Sequence, residues 1–256
     1  MIRKEIDYFL HALMFYTRTP LRSVEYKAES LNKSFRYFPL IGLLIGALGG
    51  SITFLLSYIL PNELALLLGL AFFPFFTGAF HEDGLSDFFD GFGAGRTKER
   101  ILSIMKDSSI GAYGIIALIF LHLFKFVSLY PYTPLLWLYL FMASHASSRL
   151  LSTFYIRSSK YVRKEEEHGK AEHTRNGITP TTLVVASIFG LTPLFLISWK
   201  VALLVILLDT VFALILKSYT ERKIGGYTGD VLGAVQQIGE LIVYLSFALA
   251  TTLVWV

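Results

Sequence analysis

The sequence predicts an all-α fold, a polytopic integral membrane helical bundle formed by a single domain over residues 1–256. Of its 256 residues, 54% are hydrophobic and only 16% are charged, and the mean hydropathy is +0.57. These values are far more apolar than those of a soluble domain of this size. Seven apolar stretches also approach the length of about 20 residues that a helix needs to cross a bilayer. The chain has no cysteine, which excludes disulfides and thiolate metal sites.

The first predicted helix is amphipathic and is expected to lie in the membrane interface. Apolar residues follow helical spacing at Ile6, Phe9, Leu10, Leu13 and Met14. Polar residues interrupt this run, and it lacks a small-residue cleavage site, so we do not interpret it as a signal peptide.

About seven transmembrane helices follow. The predicted spans are 37–60, 63–80, 110–130, 133–155, 179–198, 201–217 and 234–256. The first span contains Gly42, Gly46 and Gly50 at four-residue intervals. A row of small residues lets another helix approach closely, so this row predicts a helix-packing surface.

The basic residues predict how the spans are oriented. Of the 23 Lys and Arg residues, 21 fall in segments on one side of these spans, and Lys125 and Lys200 are the exceptions. Because basic loops stay in the cytoplasm, the N-terminus is expected inside and the C-terminus outside. The outer loops are short, so any active site should face the cytoplasm. We expect a multi-pass protein of a bacterial or archaeal plasma (inner) membrane. The lipid bilayer is its expected partner, and we expect no nucleic-acid partner.

One acidic segment is the strongest indication of chemistry. Four carboxylates, those of Glu82, Asp83, Asp87 and Asp90, lie within nine residues directly after an apolar run. If the segment is helical, the three aspartates share one face. Like charges so arranged favour a Mg²⁺ ion between them, with positions left for a substrate phosphate. The alternative is that some of them merely cap a helix N-terminus.

Two polar stretches follow on the same side of the membrane. Residues 91–96 combine glycines with one cation, which suits the binding of a phosphate. Residues 105–114 add a cation, a carboxylate and two serine hydroxyls. Such glycine runs are also common in ordinary loops. The candidate residues in these stretches are Gly93, Gly95, Arg96, Lys106, Asp107 and Ser108.

A third stretch, residues 225–234, precedes a helix that begins with polar residues. Asp230 and Glu240 are candidates to complete a metal site or to position a hydroxyl, and Thr228 lies beside them. The alternative is a loop followed by a helix cap.

In the fourth span, Arg149 lies four residues after His145, which indicates either an anion-binding pair or an arginine that reaches the head groups. His122, Lys125 and Asp209 stay unassigned.

The polar stretches resemble a known family, cobalamin synthase (adenosylcobinamide-GDP ribazoletransferase). The matching blocks are HEDGLSDFFDG at 81–91, MKDSSIGAYG at 105–114 and GYTGDVLGA at 226–234, with YTRTP at 16–20 and FPLIG at 38–42. The resemblance implies a membrane enzyme that joins adenosylcobinamide-GDP to α-ribazole, or to its 5′-phosphate, and releases GMP with Mg²⁺ as cofactor.

The resemblance and the residue chemistry together give the expected roles. The metal ligands are Asp83, Asp87 and Asp90, with Glu82 as a further ligand. The catalytic candidates are His81, Asp230, Lys106 and Asp107, and the first two compete for the role of proton acceptor. The substrate-binding candidates are Arg96, Arg149, Gly93, Gly95, Ser108, Thr228 and Glu240. Whether the protein forms a homo-oligomer is left open.

Two other functions compete with this interpretation. The sequence from Asp87 to Ala94 matches the first part of the CDP-alcohol phosphotransferase signature, but Gly95 precedes Arg96 and the second acidic half is absent. A transporter would also carry charges within its spans, but it should show an internal repeat and polar residues at mid-membrane in several spans. We therefore expect a phosphotransferase-type enzyme.

Overall fold

The computed structural model describes residues 2–17, 28–163 and 178–254. These ranges contain eleven α-helices, and their β-structure is confined to one isolated bridge. The helices are α1 (Ile2–Tyr16), α2 (Ala28–Ser34), α3 (Phe38–Leu56), α4 (Asn62–Thr77), α5 (Phe80–Ala94), α6 (Lys98–Ile104), α7 (Ala112–Leu129), α8 (Pro134–Ser158), α9 (Pro180–Ile197), α10 (Trp199–Ile224) and α11 (Gly229–Thr252). A 3₁₀ turn, Phe35–Tyr37, leads from α2 into α3. The all-α prediction is confirmed.

Each predicted span coincides with a helix, but the count of seven is not confirmed. Within the described ranges, five helices are long and apolar enough to cross a membrane: the segment Asn32–Leu56 that ends with α3, and α7, α9, α10 and α11. A sixth span results if α4 and α5, which meet at 90°, are counted together. The 25-residue helix α8 falls outside this group because serines, His145 and Arg149 interrupt its apolar sequence.

The N-terminal helix α1 forms as predicted and packs against α2 and α3. Its position in the membrane interface stays a prediction. The block at 16–20 is described only as far as Thr17, and Arg18, Thr19 and Pro20 lie outside the described residues.

Helix α8 occupies the centre of the bundle and packs against α3, α9 and α11. Its interface with α3 is the most extensive in the described structure, and it depends on the predicted glycine row. A Cβ atom on Gly46 would collide with the backbone of Phe141, and one on Gly50 with the side chain of Leu138. The packing role of the glycine row is therefore confirmed.

The chain turns sharply between α4 and the helix that contains the acidic segment. Gly78 ends α4 with φ 76°, the left-handed conformation that glycine adopts at little cost, and Ala79 follows with φ 54°. Helix α5 then begins at Phe80 and lies against α7 and α11. The 90° bend thus carries the acidic residues across the bundle.

Candidate active site

The three aspartates of α5 have different surroundings, although the segment is helical as the prediction required. The side chain of Asp83 is exposed, that of Asp87 is half-buried, and Asp90 is 7% exposed. We call Asp83 and Asp87, one helical turn apart, the acidic face of α5.

Asp90 caps the neighbouring helix. Its carboxylate accepts hydrogen bonds from the backbone N–H groups of Gly111, at 2.7 Å, and Gly114, at 2.9 Å, where α7 begins. A helix N-terminus has unpaired N–H groups and a partial positive charge, so a carboxylate stabilises it. The capping alternative is therefore confirmed for this residue, and its role as a metal ligand stays a prediction.

Helices α5 and α11 approach each other backbone to backbone. A Cβ on Gly84 would lie 3.1 Å from the Cα of Asp230, and a Cβ on Gly233 would lie 2.9 Å from the Cα of Gly84. Because no side chain separates the helices, Asp83 comes near enough to Asp230 for the two carboxylates to repel each other. Two of the predicted acidic stretches therefore meet at this crossing.

A basic residue that the sequence did not single out lies beside Asp230. The Arg163 guanidinium lies 2.5 Å from Asp230 Oδ2 and forms an ion pair with it, and the hydroxyl of Thr228 donates to the same oxygen at 3.1 Å. The side chain of Asp230 is 18% exposed. Asp230 is thus oriented from two sides and still reaches the surface.

Thr228 itself is fully buried and is the N-cap residue directly before α11. Its hydroxyl oxygen accepts from the backbone N–H of Val231 at 3.3 Å, which is the standard N-cap contact. The N–H of Tyr227, the preceding residue, donates a hydrogen bond to the carbonyl of Lys160 in the segment that follows α8. The loop-and-cap alternative is confirmed for Thr228, and its contact with substrate stays a prediction.

Glu240 lies at the centre of a buried polar network. Its carboxylate is 2.7 Å from Lys125 Nζ and 2.7 Å from His145 Nδ1, and it also accepts a hydrogen bond from Gln236. Arg149 Nη1 lies 3.5 Å away. Charges in an apolar interior are costly unless they are paired, and this network pairs them.

The network reaches the acidic helix through one amide. Gln237 accepts a hydrogen bond from Lys125 Nζ at 2.7 Å and donates to Glu82 Oε1 at 3.0 Å. Glu82 is therefore directed into the bundle, away from the exposed Asp83 beside it. The other oxygen of Glu82 has no hydrogen-bond partner among the described residues.

The positions of Arg149 and Glu240 differ from those expected of substrate contacts. Their side chains are 1% and 2% exposed, so the anion next to Arg149 is the protein's own carboxylate. The snorkelling alternative for Arg149 is wrong, because its guanidinium lies over the Phe38 ring at 5.6 Å. Contact of either residue with substrate stays a prediction.

His81 is also buried in this region. It is 3% exposed, and its ring stacks on Phe38 with centroids 6.0 Å apart. Its Nε2 atom has no hydrogen-bond partner among the described residues. Of the two candidate proton acceptors, Asp230 is thus the more accessible.

The glycines after the acidic segment are packing positions. A Cβ on Gly93 would lie 2.7 Å from the Tyr113 ring, and one on Gly95 would lie 2.6 Å from the Gly91 carbonyl oxygen. Gly95 ends α5, and the exposed Arg96 follows directly. The arginine is therefore presented at the end of the acidic helix.

The loop between α6 and α7 is exposed, including Lys106 and Ser108. Asp107 accepts hydrogen bonds from the Ser109 hydroxyl at 2.7 Å and the Ser109 N–H at 3.0 Å. These bonds hold the pKa of the Asp107 carboxyl below its usual value. The loop therefore presents a cation and an ionised carboxylate to solvent.

Comparison with known proteins identifies the family. A sequence profile of the cobalamin-5-phosphate synthase family matches residues 8–248. The chain belongs to this family. It is similar to the adenosylcobinamide-GDP ribazoletransferase of Shewanella baltica (strain OS185), with 41% identity over 94% of this chain and 93% of the relative. The corresponding protein of Vibrio cholerae (strain ATCC 39315) is 36% identical over 96% of this chain and 94% of its own length. No solved structure matches.

In the described part of this cobalamin-5-phosphate synthase family member, the four carboxylates of α5 do not form one complete metal site. The described residues contain no group of three or more His, Asp or Glu side chains arranged to hold a metal. Mg²⁺ needs less, since one or two carboxylates commonly hold it while substrate phosphates and water complete its shell. The acidic face of α5, formed by Asp83 and Asp87, fits that requirement.

Sequence reasoning did not identify the parts of this cobalamin-5-phosphate synthase site that depend on long-range contacts. Arg163 and Gln237 come from segments far from their partners Asp230 and Glu82. For Gln237 a signal existed, since two successive amides inside an apolar helix need partners. Arg163 lies in a strongly charged stretch, and nothing in its local sequence distinguishes it.

Proposed function

We propose that this chain is an integral membrane adenosylcobinamide-GDP ribazoletransferase. It transfers the phosphate-linked cobinamide of adenosylcobinamide-GDP to α-ribazole, or to its 5′-phosphate, and releases GMP. Membership of the cobalamin-5-phosphate synthase family carries the assignment, and relatives of nearly the same length bear this name. The apolar helices agree with action in a membrane.

The geometry at the crossing of α5 and α11 supports a phosphoryl transfer. A diphosphate needs positive charge around it, and a hydroxyl nucleophile needs a nearby group that takes its proton. The acidic face of α5 and Asp230 lie on neighbouring helices, and Arg163 accompanies Asp230. The exposed cations Arg96 and Lys106 belong to the segments that follow α5 and precede α7.

We assign the steps to these residues as follows. Asp83 and Asp87 would hold Mg²⁺, which when bound supplies charge neutralisation at the diphosphate. Arg96 and Lys106 contact the phosphate oxygens of the same diphosphate. A ribose hydroxyl of α-ribazole attacks the phosphorus attached to cobinamide, the bond to the GMP oxygen breaks, and Asp230 takes the hydroxyl proton.

The buried residues have a supporting role in this proposal. Gln237 links Glu82 of α5 to Lys125 of α7, so the network fixes the helix that carries the acidic face. The site opens to the cytoplasm, on the side where 21 of 23 basic residues lie.

The experiment incubates purified protein, in detergent or lipid, with adenosylcobinamide-GDP, α-ribazole and Mg²⁺. We expect the complete corrinoid and an equal amount of GMP. A parallel incubation without α-ribazole measures hydrolysis alone. Failure to form either product, together with transfer of a phosphoalcohol from a CDP-linked donor, would replace the proposal by a CDP-alcohol phosphotransferase activity.

A further inference from the structure

Asp209 is a buried acid on the opposite side of α8 from the candidate active site. It is 8% exposed and lies on α10, where the nearest charged residues along the helix are Lys200 and Lys217. These are nine and eight residues away, or about 13.5 Å and about 12 Å at 1.5 Å per residue. Asp209 therefore lies near the middle of an apolar span, where an isolated ionisable group marks a functional site by default.

No protein group in the described structure satisfies this carboxyl completely. Its Oδ1 atom has no hydrogen-bond partner. The nearby hydroxyls are already used by their own helices, because Thr210 donates to the Ile206 carbonyl at 2.7 Å and Ser147 to that of Ser144 at 3.4 Å. Buried polar atoms nearly always have a partner, so this acceptor needs one from outside the chain.

A cavity lies beside the unpaired carboxyl. It has a volume of about 330 Å³ between α8, α9 and α10, and Asp209 lines it together with mostly apolar residues such as Leu150, Leu194 and Val205. Its lining also includes Ser158, at the end of α8. The cavity therefore extends from mid-span along α8, and it suits an elongated apolar molecule with one polar end.

We propose that this cavity binds an amphiphile whose polar end is a hydroxyl, with the hydroxyl hydrogen-bonded to Asp209. A hydroxyl donates one hydrogen bond and accepts others, which complements a carboxyl group. A cationic head would require a second charge to leave water, and the desolvation of two charges offsets much of their attraction. The site is separate from the proposed reaction and does not depend on it.

The test measures binding of dodecanol to the whole protein by native mass spectrometry. The detergent is lauryldimethylamine oxide, whose head group has no hydrogen-bond donor. Dodecane, which lacks the hydroxyl, is the reference ligand. We expect the wild-type protein to bind dodecanol about tenfold more tightly than dodecane, which is the effect of one buried hydrogen bond of about 1.4 kcal/mol.

Variants distinguish the contribution of the carboxyl to binding from that of the cavity. Asp209→Leu should bind both ligands equally and stay folded, because the change removes an unpaired polar group. Asp209→Asn should retain most of the preference, since an amide also donates and accepts. Thr210→Val is the matched control, because the Thr210 hydroxyl is already bonded to its own helix, and it should behave as the wild type.

Several results would overturn the proposal. These are equal binding of dodecanol and dodecane by the wild type, a preference that persists in Asp209→Leu, or tighter binding of dodecyltrimethylammonium than of dodecanol. A wild-type dimer that dissociates in Asp209→Leu would also overturn it, because a second copy would then supply the partner.

Discussion

Lys125 on α7 and Glu240 on α11 form an ion pair of 2.7 Å inside the bundle, with side chains only 5% and 2% exposed. A buried charge that loses its partner retains its full desolvation cost. The pair therefore fixes the relative position of two helices whose segments are more than a hundred residues apart in sequence.

We expect Lys125→Met to destabilise the protein by about 3 kcal/mol, because it leaves the Glu240 carboxylate with fewer cations. Unfolding in detergent, followed by circular dichroism, measures the change. Lys200→Met, which removes a lysine from the first turn of α10, is the matched control and should have little effect. Equal stability of the two variants would show that the buried pair contributes nothing.

Variants of Thr228 distinguish a role in capping α11 from a role in binding substrate. Thr228→Ala should lower the free energy of unfolding by about 1 kcal/mol, because the first turn of α11 loses the acceptor for the Val231 N–H. Thr228→Ser retains the hydroxyl, and both its stability and its activity should stay near the wild-type values. Loss of activity in a fully stable Thr228→Ser protein would instead indicate that the threonine methyl contacts the substrate.

The glycine row of α3 provides a packing test. Gly46→Leu should destabilise the bundle by about 3 kcal/mol, since its side chain would meet the backbone of Phe141 on α8. Leu48→Ala on an exposed position of the same helix is the control. Thermal unfolding measures both, and a Gly46→Leu protein as stable as the control would contradict the close approach.

The sequence predicted those features that depend on local pattern. Apolar length located the spans, and the four-residue interval of Gly42, Gly46 and Gly50 predicted a close helix contact that the structure has with α8. Spacing also predicted that the aspartates of α5 share a helix. In each case the relevant physics acts within one helix, so neighbouring residues contain the information.

Features set by packing between helices were not predictable in the same way. Helical spacing could not distinguish Asp83 from Asp90, since it places both on one face of α5. They differ because α7 presents its N-terminus only to Asp90. The right-angle turn at Gly78 likewise depends on where α5 packs. Arg149 resembled a helix-end cation, and only the position of Glu240 on another helix explains why it is buried.

Topology gives a prediction that needs no assay of activity. With 21 of 23 basic residues on one side of the predicted spans, a reporter fused after Val256 should behave as external. A reporter in the loop between α6 and α7 should behave as cytoplasmic. A cytoplasmic signal from the C-terminal fusion of an intact protein would mean that the chain crosses the membrane an even number of times.

The acidic helix gives the sharpest prediction, since two of its aspartates should respond differently to the same substitution. Asp83→Asn removes charge from the exposed acidic face, so activity should fall by about 10²-fold, the effect of one electrostatic stabiliser. Stability should change little, and higher Mg²⁺ should recover part of the rate. Glu99→Gln, an exposed carboxylate on α6, is the matched control and should retain full activity.

Asp90→Asn should instead lower the free energy of unfolding by about 1.5 kcal/mol, because the N–H groups of Gly111 and Gly114 lose a charged acceptor. Because our proposal assigns the metal to Asp83 and Asp87 and the Asp90 carboxylate to the cap of α7, the Mg²⁺ concentration at half-maximal rate should stay near that of the wild type. Rate measurements across Mg²⁺ concentrations and unfolding in detergent test both variants in one series. If Asp90→Asn shifted the Mg²⁺ dependence while Asp83→Asn did not, the metal would lie at the α7 end of the helix and the ligand assignment would be reversed.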